Sequence, residues 1–526
     1  MLSDIQTATV NTIGDGLRRA AKRFAAKEAI IFQQRHWTYQ QLDRAVNRVA
    51  NALLQSGLQP GDRIAAFGKN SDAYLILFLA CTRAGMIHVP INYALVKDEL
   101  LYLLKQSGAA AIFMDDDLAD NVAAVVQDTA ITTTGSLHTP TPHSLLDILQ
   151  ISQSNADHQP PDVKVQDTDI AQILYTSGTT SHPKGAMHTH RGFMAEYSSC
   201  IQHLDLTTDD RCLAALPLYH SAQMHVFTIP ALMIGAMSYI LQAPLPELVF
   251  TAISSERLNS VFAPPTVWIG LLRHPGFDQH DLSSLVNIYY GASIMPEPIV
   301  AELQQRLPGC RLFNCYGQSE MAPLATVLAP EEQTGRLASI GKPIMSVETR
   351  IVNPLTMEDC SPGEQGEIIH RSPHVMVGYW DKPEQTAEAF AGGWFHSGDL
   401  AYADEEGYIF IVDRIKDVVN TGGVLVASRD VEEALYLHPA IAEVAVIGTP
   451  HEKWIEAITA IVVFKQGEDA DNDELTRHCQ QYLAPFKVPK AFIVADALPK
   501  NTAGKLLKRK LRQQYNEAQL DAALSV

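Results

Sequence analysis

Helical and extended patterns alternate through the first part of the chain. Apolar residues recur at helical spacing in three segments, 17–24, 39–55 and 72–84. Thr38 stands where its hydroxyl can cap the second of these helices, and short apolar runs at 63–68 and 86–90 predict buried strands. This alternation predicts an α/β fold with mostly parallel sheets. Because 526 residues exceed what one hydrophobic core supports, at least two domains are expected.

The pattern changes twice further along the chain. More strands are predicted at four places, 170–175, 260–263, 287–290 and 311–314. From 347 to 370, shorter β segments separated by turns indicate a β-rich subdomain. A strand at 407–413 then precedes a helix and two strands, at 431–437, 441–447 and 458–464. These changes predict a large N-terminal domain at 1–413 and a small α+β C-terminal domain at 414–526.

Charge and composition exclude several classes of protein. The formal net charge is −19, whereas nucleic-acid binding needs a basic surface, so no nucleic-acid partner is expected. The seven cysteines are odd in number and form no CxxC pair, which favours a reducing compartment, and we expect a cytoplasmic protein. The uncharged run at 226–241 is shorter than the ~20 residues of a spanning helix, so a buried core segment is predicted there.

A string rich in glycine, serine and threonine follows the strand predicted at 170–175. It reads YTSGTTSHPKG over 175–185, in which Gly178 and Gly185 permit backbone conformations that aim several amides into one concavity. Lys184 adds a positive charge, and the hydroxyl donors are Thr176, Ser177, Thr179 and Thr180. The string predicts a cradle for a polyphosphate, although it lacks the order GxxxxGK[ST]. A shorter TSG tripeptide alone would indicate only a solvated turn.

At this string the sequence resembles the adenylate-forming superfamily, which contains acyl-CoA synthetases, adenylation domains and firefly-type luciferases. Further motifs follow in the family's order, PLYH at 217–220, YYGAS at 289–293, NCYGQSE at 314–320, GWFHSGD at 393–399, VDRIKD at 412–417 and PKNTAGK at 499–505. The resemblance covers nearly the whole chain, and its general appearance is that of bacterial fatty-acyl-CoA ligases. It implies stacked α/β sheets in the N-terminal domain and a small, mobile C-terminal domain.

The resemblance also implies a role for individual residues. Glu320 is similar to the family's magnesium-binding glutamate, Asp399 to its ribose-binding aspartate and Lys505 to its catalytic lysine. The implied catalytic set is Lys505, Glu320, Thr176 and His220. The implied ATP-binding set is Thr176, Ser177, Gly178, Thr179, Thr180, Lys184, Gly291, Ala292, Ser293, Asn314, Tyr316, Gly317, Gln318, Ser319, Asp399 and Arg414. Each residue also has an ordinary structural interpretation that does not depend on the family. Tyr316 and His220 are then packed core residues, Asp399 is a turn residue, and Arg414 is part of a surface ion pair.

The implied activity is an acid–thiol ligase reaction in two half-reactions. A carboxylic acid and ATP with Mg²⁺ give an acyl-adenylate and pyrophosphate, and coenzyme A then displaces AMP. A carboxylate is a weak nucleophile and the α-phosphate is shielded by negative charge, so positioning and charge neutralisation are needed more than acid–base work. The family's hinge falls at Lys416, and Gly422 and Gly423 lie where relatives line the coenzyme A channel.

Four positions, in three motifs, depart from the family's pattern. Ser181 replaces a glycine of the phosphate loop, and Gln318 replaces a frequent threonine. Val424 and Leu425 stand where many members have glutamate and asparagine after the two glycines. The last departure concerns the thioester half-reaction rather than adenylation, so a carrier protein is an alternative acceptor to coenzyme A.

The acid is predicted from the stretch LYHSAQM at 218–224. It contains no aspartate to pair with a substrate amine, which argues against an amino acid. His220, Met224 and Trp268 are predicted to line an apolar acyl pocket, which favours a medium- to long-chain fatty acid, although Trp268 is equally consistent with plain core packing. The alternatives are an aromatic or alicyclic acid, or a luciferase-like oxygenase reaction. No pattern in the sequence indicates an oligomeric state.

Overall fold

Helices and four β-sheets make up the protein, for which a computed structural model describes residues 8–139, 144–176, 182–415, 417–422, 424–451, 453–501 and 506–515. Two sheets are large and mostly parallel, and two are smaller. This architecture confirms the predicted α/β fold with a β-rich subdomain and a separate α+β region toward the C-terminus.

The first large sheet has nine strands. In spatial order they are Lys342–Pro343, Leu324–Leu328, Arg311–Gly317, Asn287–Gly291, Ser260–Ala263, Arg211–Ala214, Met237–Ile240, Glu28–Phe32 and Arg35–Thr38. The six strands from Arg311–Gly317 to Glu28–Phe32 are parallel, and the pairings at both margins are antiparallel. Parallel strands are buried on both faces, which explains their continuous apolar runs.

The second large sheet has seven strands. In spatial order they are Leu146–Asp147, Thr133–Ser136, Ala111–Met114, Arg63–Phe67, Ile87–Ile91, Ile170–Thr176 and Lys184–Thr189. Only the last pair is antiparallel. Residues Thr176 and Lys184 are register partners in that pair, so segment 177–183 connects two adjacent strands.

The helices that the sequence predicts are present. Thr38 caps Tyr39–Gln55 by accepting from the amide of Gln41, as predicted. The first helix begins at Ile13 rather than at residue 17, because Thr12 and Asp15 form a capping box there. The α-helices are Ile13–Arg23, Tyr39–Gln55, Asp72–Ala84, Lys97–Ser107, Ala119–Ala123, Ile148–Gln153, His190–His203, Ile229–Ile234, Pro246–Glu256, Pro265–Arg273, Glu297–Arg306, Pro383–Ala389, Ser428–Tyr436, Asn472–Tyr482 and Lys508–Gln514.

Two smaller sheets follow the large ones in the chain. The antiparallel four-stranded sheet contains Glu348–Val352, Gly366–Arg371, Phe395–Ala403 and Ile409–Arg414. The five-stranded sheet contains Val424–Val426, Val419–Thr421, Ile455–Phe464, Ile441–His451 and Ala491–Val494. The strand predicted at 407–413 ends at Arg414, one residue beyond the domain boundary that the sequence suggested.

The uncharged run at 226–241 is folded into the interior. It contains part of a π-helix at Ala222–Thr228, the helix Ile229–Ile234 and the strand Met237–Ile240. Most of its side chains are buried, which agrees with the predicted core segment. Within the described ranges, no helix combines the length and apolar character that a membrane span requires.

Candidate active site

Strand ends from three sheets meet at one place. The neighbouring parallel strands Asn287–Gly291 and Arg311–Gly317 end there, and so does Ile170–Thr176 of the seven-stranded sheet. Asp399 lies on a strand of the four-stranded sheet, opposite Arg414 on the next strand. Ligands of open α/β sheets bind beyond the carboxyl ends of parallel strands, so these ends define the candidate site.

Asp399 is the centre of a buried polar cluster in this site. The residue is 4% exposed, and its Oδ2 accepts hydrogen bonds from the Tyr316 hydroxyl and from Gln318 Nε2, both at 2.7 Å. Arg414 Nε lies 3.0 Å from Oδ1. The sequence predicted all four residues for ATP binding. The structure brings them together, although Tyr316 and Arg414 are 98 residues apart in the sequence.

The charges of this cluster are fixed by their surroundings. Burial raises the pKa of Tyr316 well above its usual value, and the neighbouring Asp399 carboxylate raises that pKa further. The phenol therefore remains a neutral hydrogen-bond donor. Asp399 raises the pKa of Arg414, and Tyr316 and Glu320 add to that effect. The cluster thus offers one carboxylate whose two oxygens are held in place, as binding two ribose hydroxyls requires.

Glu320 lies in the same site and binds residues from two other segments. Its Oε1 accepts from Thr176 Oγ1 and from the Tyr379 hydroxyl, both at 3.1 Å. Lys184 Nζ lies 4.5 Å from the centre of the Tyr379 ring. Burial raises the pKa of Tyr379, and Glu320 contributes to the shift, so this phenol also donates while neutral. A carboxylate, two hydroxyls and a lysine therefore surround one polar space.

The predicted phosphate-binding string is anchored on both sides. Tyr175 donates its hydroxyl to Gln106 on the helix Lys97–Ser107, and Gln106 in turn donates to the carbonyl of Trp380. On the far side, Tyr102 donates to the carbonyl of Pro183 at 3.1 Å. These contacts fix the two ends of the string. Four of its predicted ligands, Ser177, Gly178, Thr179 and Thr180, and the departure Ser181 lie outside the described residues.

Two glycines allow the backbone to close around the site. A Cβ added at Gly317 would lie 1.7 Å from the carbonyl oxygen of Pro323, and one at Gly291 would lie 2.1 Å from that of Cys315. Ala292 adopts φ 64, and it and Ser293 are exposed at the end of the strand. Asn314 donates to the carbonyl of Ser339 at 2.8 Å. The segment 291–293 therefore begins at the residue that pairs with Cys315, the neighbour of Tyr316, and its assignment to an adenine pocket remains a prediction.

His220 lies at the edge of the site, in the turn before the π-helix Ala222–Thr228. It is half-buried, and its amide donates to the carbonyl of Pro217 at 3.0 Å. The neighbouring Ser221 is linked to Ser319 by a hydrogen bond of 3.0 Å between their hydroxyls. Since Ser319 immediately precedes Glu320, this bond joins the PLYH motif to the segment that carries Glu320.

The two other predicted acyl-pocket residues do not share a cavity wall. Met224 is fully buried in a core cluster with the helix Asp72–Ala84. Trp268, 2% exposed, belongs to a different cluster and donates its Nε1–H to the carbonyl of Tyr289 at 3.2 Å. Their assignment to the acyl pocket therefore remains a prediction. Three further predicted residues, Lys416, Gly423 and Lys505, lie outside the described part of the chain.

Tyr379 was not predicted from the sequence. It comes 59 residues after Glu320, and no motif or local spacing connects the two. The link depends on the fold, because residues 377–380 pair with the strand Lys184–Thr189, for example through the amide of Trp380 and the carbonyl of Gly185 at 2.8 Å. This pairing places the Tyr379 ring under Lys184.

The donor set around Glu320 fits a magnesium ion that is shared with a nucleotide. Mg²⁺ is often held by one or two carboxylates together with substrate phosphates. Among the described residues, no three or more His, Cys, Asp or Glu side chains are grouped so that they could hold a metal by themselves. Glu320, which contacts the start of the phosphate-binding string through Thr176, is therefore the carboxylate that we consider as the protein's magnesium ligand.

Family models match most of the chain. The model described as AMP-binding enzyme matches residues 17–380, and the model described as AMP-binding enzyme C-terminal domain matches residues 430–505. A feruloyl-CoA synthase from Amycolatopsis sp is 37% identical over 478 residues, which cover 91% of this chain and 94% of that protein.

Two other similarities extend over nearly the full length. The fatty acid–[acyl-carrier-protein] ligase ScoC of Streptomyces coeruleorubidus is 32% identical over 497 residues, 93% of each protein. The crystal structure of ATP-bound MatB from Rhodopseudomonas palustris superposes with a TM-score of 0.87 at 29% identity, covering 96% of this chain and 99% of that one. The order of motifs, the fold and the site geometry therefore agree with one another.

Proposed function

The chain belongs to the family of AMP-binding enzymes, and from this premise we propose that it joins a compact aromatic acid to coenzyme A through an acyl-adenylate. Whichever acid it uses, the chain is an AMP-forming acid–CoA ligase. We propose in addition the class of acid, the residues that carry each step and the division into domains.

The observation that carries the nucleotide-binding function is the cluster around Asp399. This buried carboxylate accepts from Tyr316 and Gln318 and is paired with Arg414. A carboxylate fixed in this way at an open strand end suits the binding of a ligand's hydroxyl groups. Its separate oxygens suit the 2′ and 3′ hydroxyls of a ribose. The exposed backbone of Ala292 and Ser293 lies beside it for the adenine.

In the first half-reaction, an oxygen of the substrate carboxylate attacks the α-phosphorus of ATP. A new P–O bond forms, the bond from the α-phosphorus to the bridging oxygen breaks, and pyrophosphate leaves. Lys184 lies where it can neutralise phosphate charge, Thr176 can donate to a phosphate oxygen, and Lys505 is assigned to the α-phosphate by its motif. Glu320 would hold a magnesium ion, which would supply further charge neutralisation when bound.

In the second half-reaction, the sulfur of coenzyme A attacks the acyl carbon. The thiol loses its proton, a C–S bond forms, the C–O bond to the phosphate breaks, and AMP leaves. A thiol of this kind has a pKa of ~8.5 by analogy with cysteine, so a fraction is ionised near neutral pH. We assign His220 to the junction between the acyl pocket and the thiol. Gly422, which donates to the carbonyl of Trp454 at 2.6 Å, is assigned to the thiol's channel.

The size of the acid is inferred from a stack of aromatic rings below the site. Phe227 lies between Phe262 and Tyr289, at centroid distances of 4.5 and 5.0 Å, and Tyr289 contacts Phe313 at 4.9 Å. All four are at most 5% exposed. Tyr289 and Gly291 share one face of their strand, since side chains alternate. The stack therefore fills the sheet face that leads away from Gly291, which leaves little room for a long alkyl chain and suits a short, planar acid.

A medium- to long-chain fatty acid is the second candidate. The apolar run at 226–241 and the similarity to ScoC, named as a fatty acid ligase, favour it. The name of ScoC also favours a carrier protein as the alternative acceptor, as does the replacement of a polar pair by Val424 and Leu425. The 37% identity to a feruloyl-CoA synthase supports the aromatic acid and coenzyme A.

We further propose that residues 1–413 and 414–526 are the two domains, with the hinge near Lys416. The five-stranded sheet and its helices lie entirely after Arg414. A ligase that uses one small domain for two half-reactions needs such a hinge, since each step requires a different face of that domain.

The decisive experiment is a mass-spectrometric assay for acyl-CoA. The protein is incubated with ATP, magnesium, coenzyme A and one acid from a panel of hydroxycinnamic, benzoic, saturated fatty and amino acids. We expect thioesters of the hydroxycinnamic and benzoic acids, and little thioester from the longer saturated fatty acids.

Each other outcome changes one part of the proposal. Thioesters restricted to alkyl acids would overturn the aromatic assignment in favour of the second candidate. Formation of AMP and pyrophosphate without any thioester would overturn the coenzyme A assignment, and a carrier protein would then be tested as acceptor.

A further inference from the structure

The segment that carries Glu320 is a tight turn. The backbone N–H of Gln318 donates to the carbonyl of Pro323 at 2.9 Å and so closes the turn. Within the turn, Ala322 adopts a positive φ of 78°. Gln318 binds Asp399 on one side, and Glu320 binds Thr176 on the other. Since the turn sets both contacts, whatever holds the turn also sets the position of the Glu320 carboxylate.

Glu196 holds the C-terminal end of this turn from the interior. It lies on the helix His190–His203 and is 0% exposed. Its Oε1 accepts from the amide of Leu324 at 3.0 Å, at the residue that follows the turn. The same helix directly follows the strand Lys184–Thr189, which ends the phosphate-binding string. Glu196 therefore ties the turn to the helix that directly follows the strand carrying Lys184.

His374 holds the middle of the turn from another segment. It is 0% exposed, and its Nδ1 lies 2.6 Å from the carbonyl oxygen of Met321. Two residues further along, the amide of Met376 donates to the carbonyl of Glu320 itself at 2.7 Å. Tyr379, which binds the Glu320 carboxylate, follows in the same segment. The main chain on both sides of the Glu320 side chain is thus fixed by buried groups.

Both buried side chains are neutral. Burial raises the pKa of the Glu196 carboxyl well above its usual value, although the bond from Leu324 opposes the shift. Burial lowers the pKa of His374 to about 4, against an opposing effect of the bond to Met321. A neutral carboxyl adds no charge that would repel Glu320 or oppose a cation. A neutral imidazole protonated at Nδ1 can donate to the carbonyl of Met321.

We propose that Glu196 and His374 are positioning residues, which hold the turn of residues 318–323 so that the Glu320 carboxylate is aimed at a magnesium ion shared with ATP. They touch neither the nucleotide nor the reacting atoms. The proposal rests on the assignment of Glu320 to magnesium in the proposed function. Residues that orient a metal ligand typically contribute a factor of roughly 10 to 100 to metal affinity.

The test compares nucleotide binding with and without magnesium, by calorimetric titration of ATP in excess magnesium and in EDTA. Glu196→Ala and His374→Leu remove the two bonds, whereas Glu196→Gln and His374→Gln keep an acceptor and a donor. We expect the first pair to bind ATP in magnesium roughly 10-fold more weakly than the wild type, with unchanged affinity in EDTA. The glutamine variants should bind like the wild type.

Two controls separate positioning from loss of stability and from failure of the premise. Asn47→Ala removes a buried amide that bonds His158 and Arg83 far from the turn. It should lower the melting temperature without changing ATP affinity. Glu320→Ala should abolish the effect of magnesium on ATP binding, and if it does not, the assignment of Glu320 fails and the inference fails with it.

The inference is overturned if Glu320→Ala loses the magnesium effect while Glu196→Ala and His374→Leu keep wild-type affinity. It is also overturned if the glutamine variants are as weak as the truncations, because the bonds they retain would then be irrelevant. If Glu196→Ala does not fold, the comparison between His374→Leu and His374→Gln decides the question.

Discussion

Arg414 Nε lies 3.0 Å from Asp399 Oδ1, and the two residues are register partners on neighbouring antiparallel strands. Because the ladder fixes both backbones, the ion pair is set by the sheet rather than by flexible side chains. The other oxygen of Asp399 is bound by Tyr316 and Gln318. A carboxylate held from both sides before any ligand arrives loses little freedom when it binds one.

The first prediction concerns that carboxylate. Asp399→Asn removes its charge and one acceptor, and should weaken ATP binding by roughly 10- to 100-fold, since hydrogen bonds to charged groups contribute about 1.5–3 kcal/mol. Calorimetric titration of ATP measures the change. Asp404→Asn is the matched control, because Asp404 also pairs with an arginine, Arg336 at 3.4 Å, but lies away from the site. Equal affinities for both variants would contradict the assignment of Asp399 to ribose.

The second prediction separates the two contacts of Tyr379. Tyr379→Phe loses the hydroxyl that binds Glu320 but keeps the ring beneath Lys184, whereas Tyr379→Leu loses both. A cation over an aromatic ring contributes about 0.5–2 kcal/mol, so the leucine variant should bind ATP more weakly than the phenylalanine variant. The measurement is the affinity for ATP in magnesium. If both variants bind alike, the Lys184 contact contributes nothing.

The fold was largely predictable because its signals are local. Periodicity placed helices at 39–55 and 72–84, and the apolar runs placed the strands that end at the site. The helix start at Ile13 was missed, since a capping box of Thr12 and Asp15 precedes the apolar pattern that marked residue 17. A cap depends on two polar side chains, which hydrophobic periodicity does not register.

The site was predictable only where a motif carried it. Thr176, Glu320, Asp399 and Arg414 were found through their motifs, and the structure places them together. Gln318 was noted as a departure from the family, yet it donates directly to Asp399. Tyr379, Glu196 and His374 were missed, because their contacts join segments that are distant in sequence and follow no spacing rule. A residue that acts by holding another leaves no pattern in the chain.

The third prediction concerns acid stability. Burial lowers the pKa of His88 to about 3, whereas the unfolded histidine titrates near 6.5, so between these values the unfolded state binds one more proton. Stability therefore falls as the pH drops below 6.5. His88→Gln should remove the contribution of His88, about 1.4 kcal/mol per pH unit, from the pH dependence of the unfolding free energy. Denaturant titrations of the wild type and of His88→Gln across pH 5–7 measure it, and equal slopes for the two proteins would contradict the prediction.

The fourth prediction concerns a partly buried ionic network beside the proposed hinge. Lys508 Nζ lies 2.8 Å from Glu432 and donates to Ser428 Oγ at 2.6 Å, and Ser428 donates to Asp413 at 2.6 Å. Burial lowers the pKa of Lys508, but Glu432 and Asp413 outweigh that effect and raise it. The lysine is therefore charged, and it links the segment after Lys505 to the residue before Arg414.

Lys508→Met leaves the partly buried Glu432 without its partner and should destabilise the C-terminal region by about 1.5–3 kcal/mol. If the network positions the Lys505 segment, the rate of adenylate formation should fall more than the affinity for ATP. Lys510→Met, on the exposed face of the same helix, is the control and should change neither. A loss of ATP affinity equal to the loss of rate would place the effect of Lys508 in the nucleotide site instead.

The last prediction tests the aromatic stack as the limit on acyl length. Phe227→Leu replaces the ring that lies between Phe262 and Tyr289 by a smaller side chain. This opens space along the sheet face that leads away from Gly291. The ratio of kcat/KM for a medium-chain fatty acid to that for a hydroxycinnamic acid should rise by roughly 10-fold, because each methylene newly accommodated contributes about 0.8 kcal/mol. Phe250→Leu, which shortens an equally buried ring in a different core cluster, is the control and should lower stability without changing the ratio. An unchanged ratio in a folded Phe227→Leu would show that the acyl group does not approach this stack, and the acid would then have to be sought along another wall of the site.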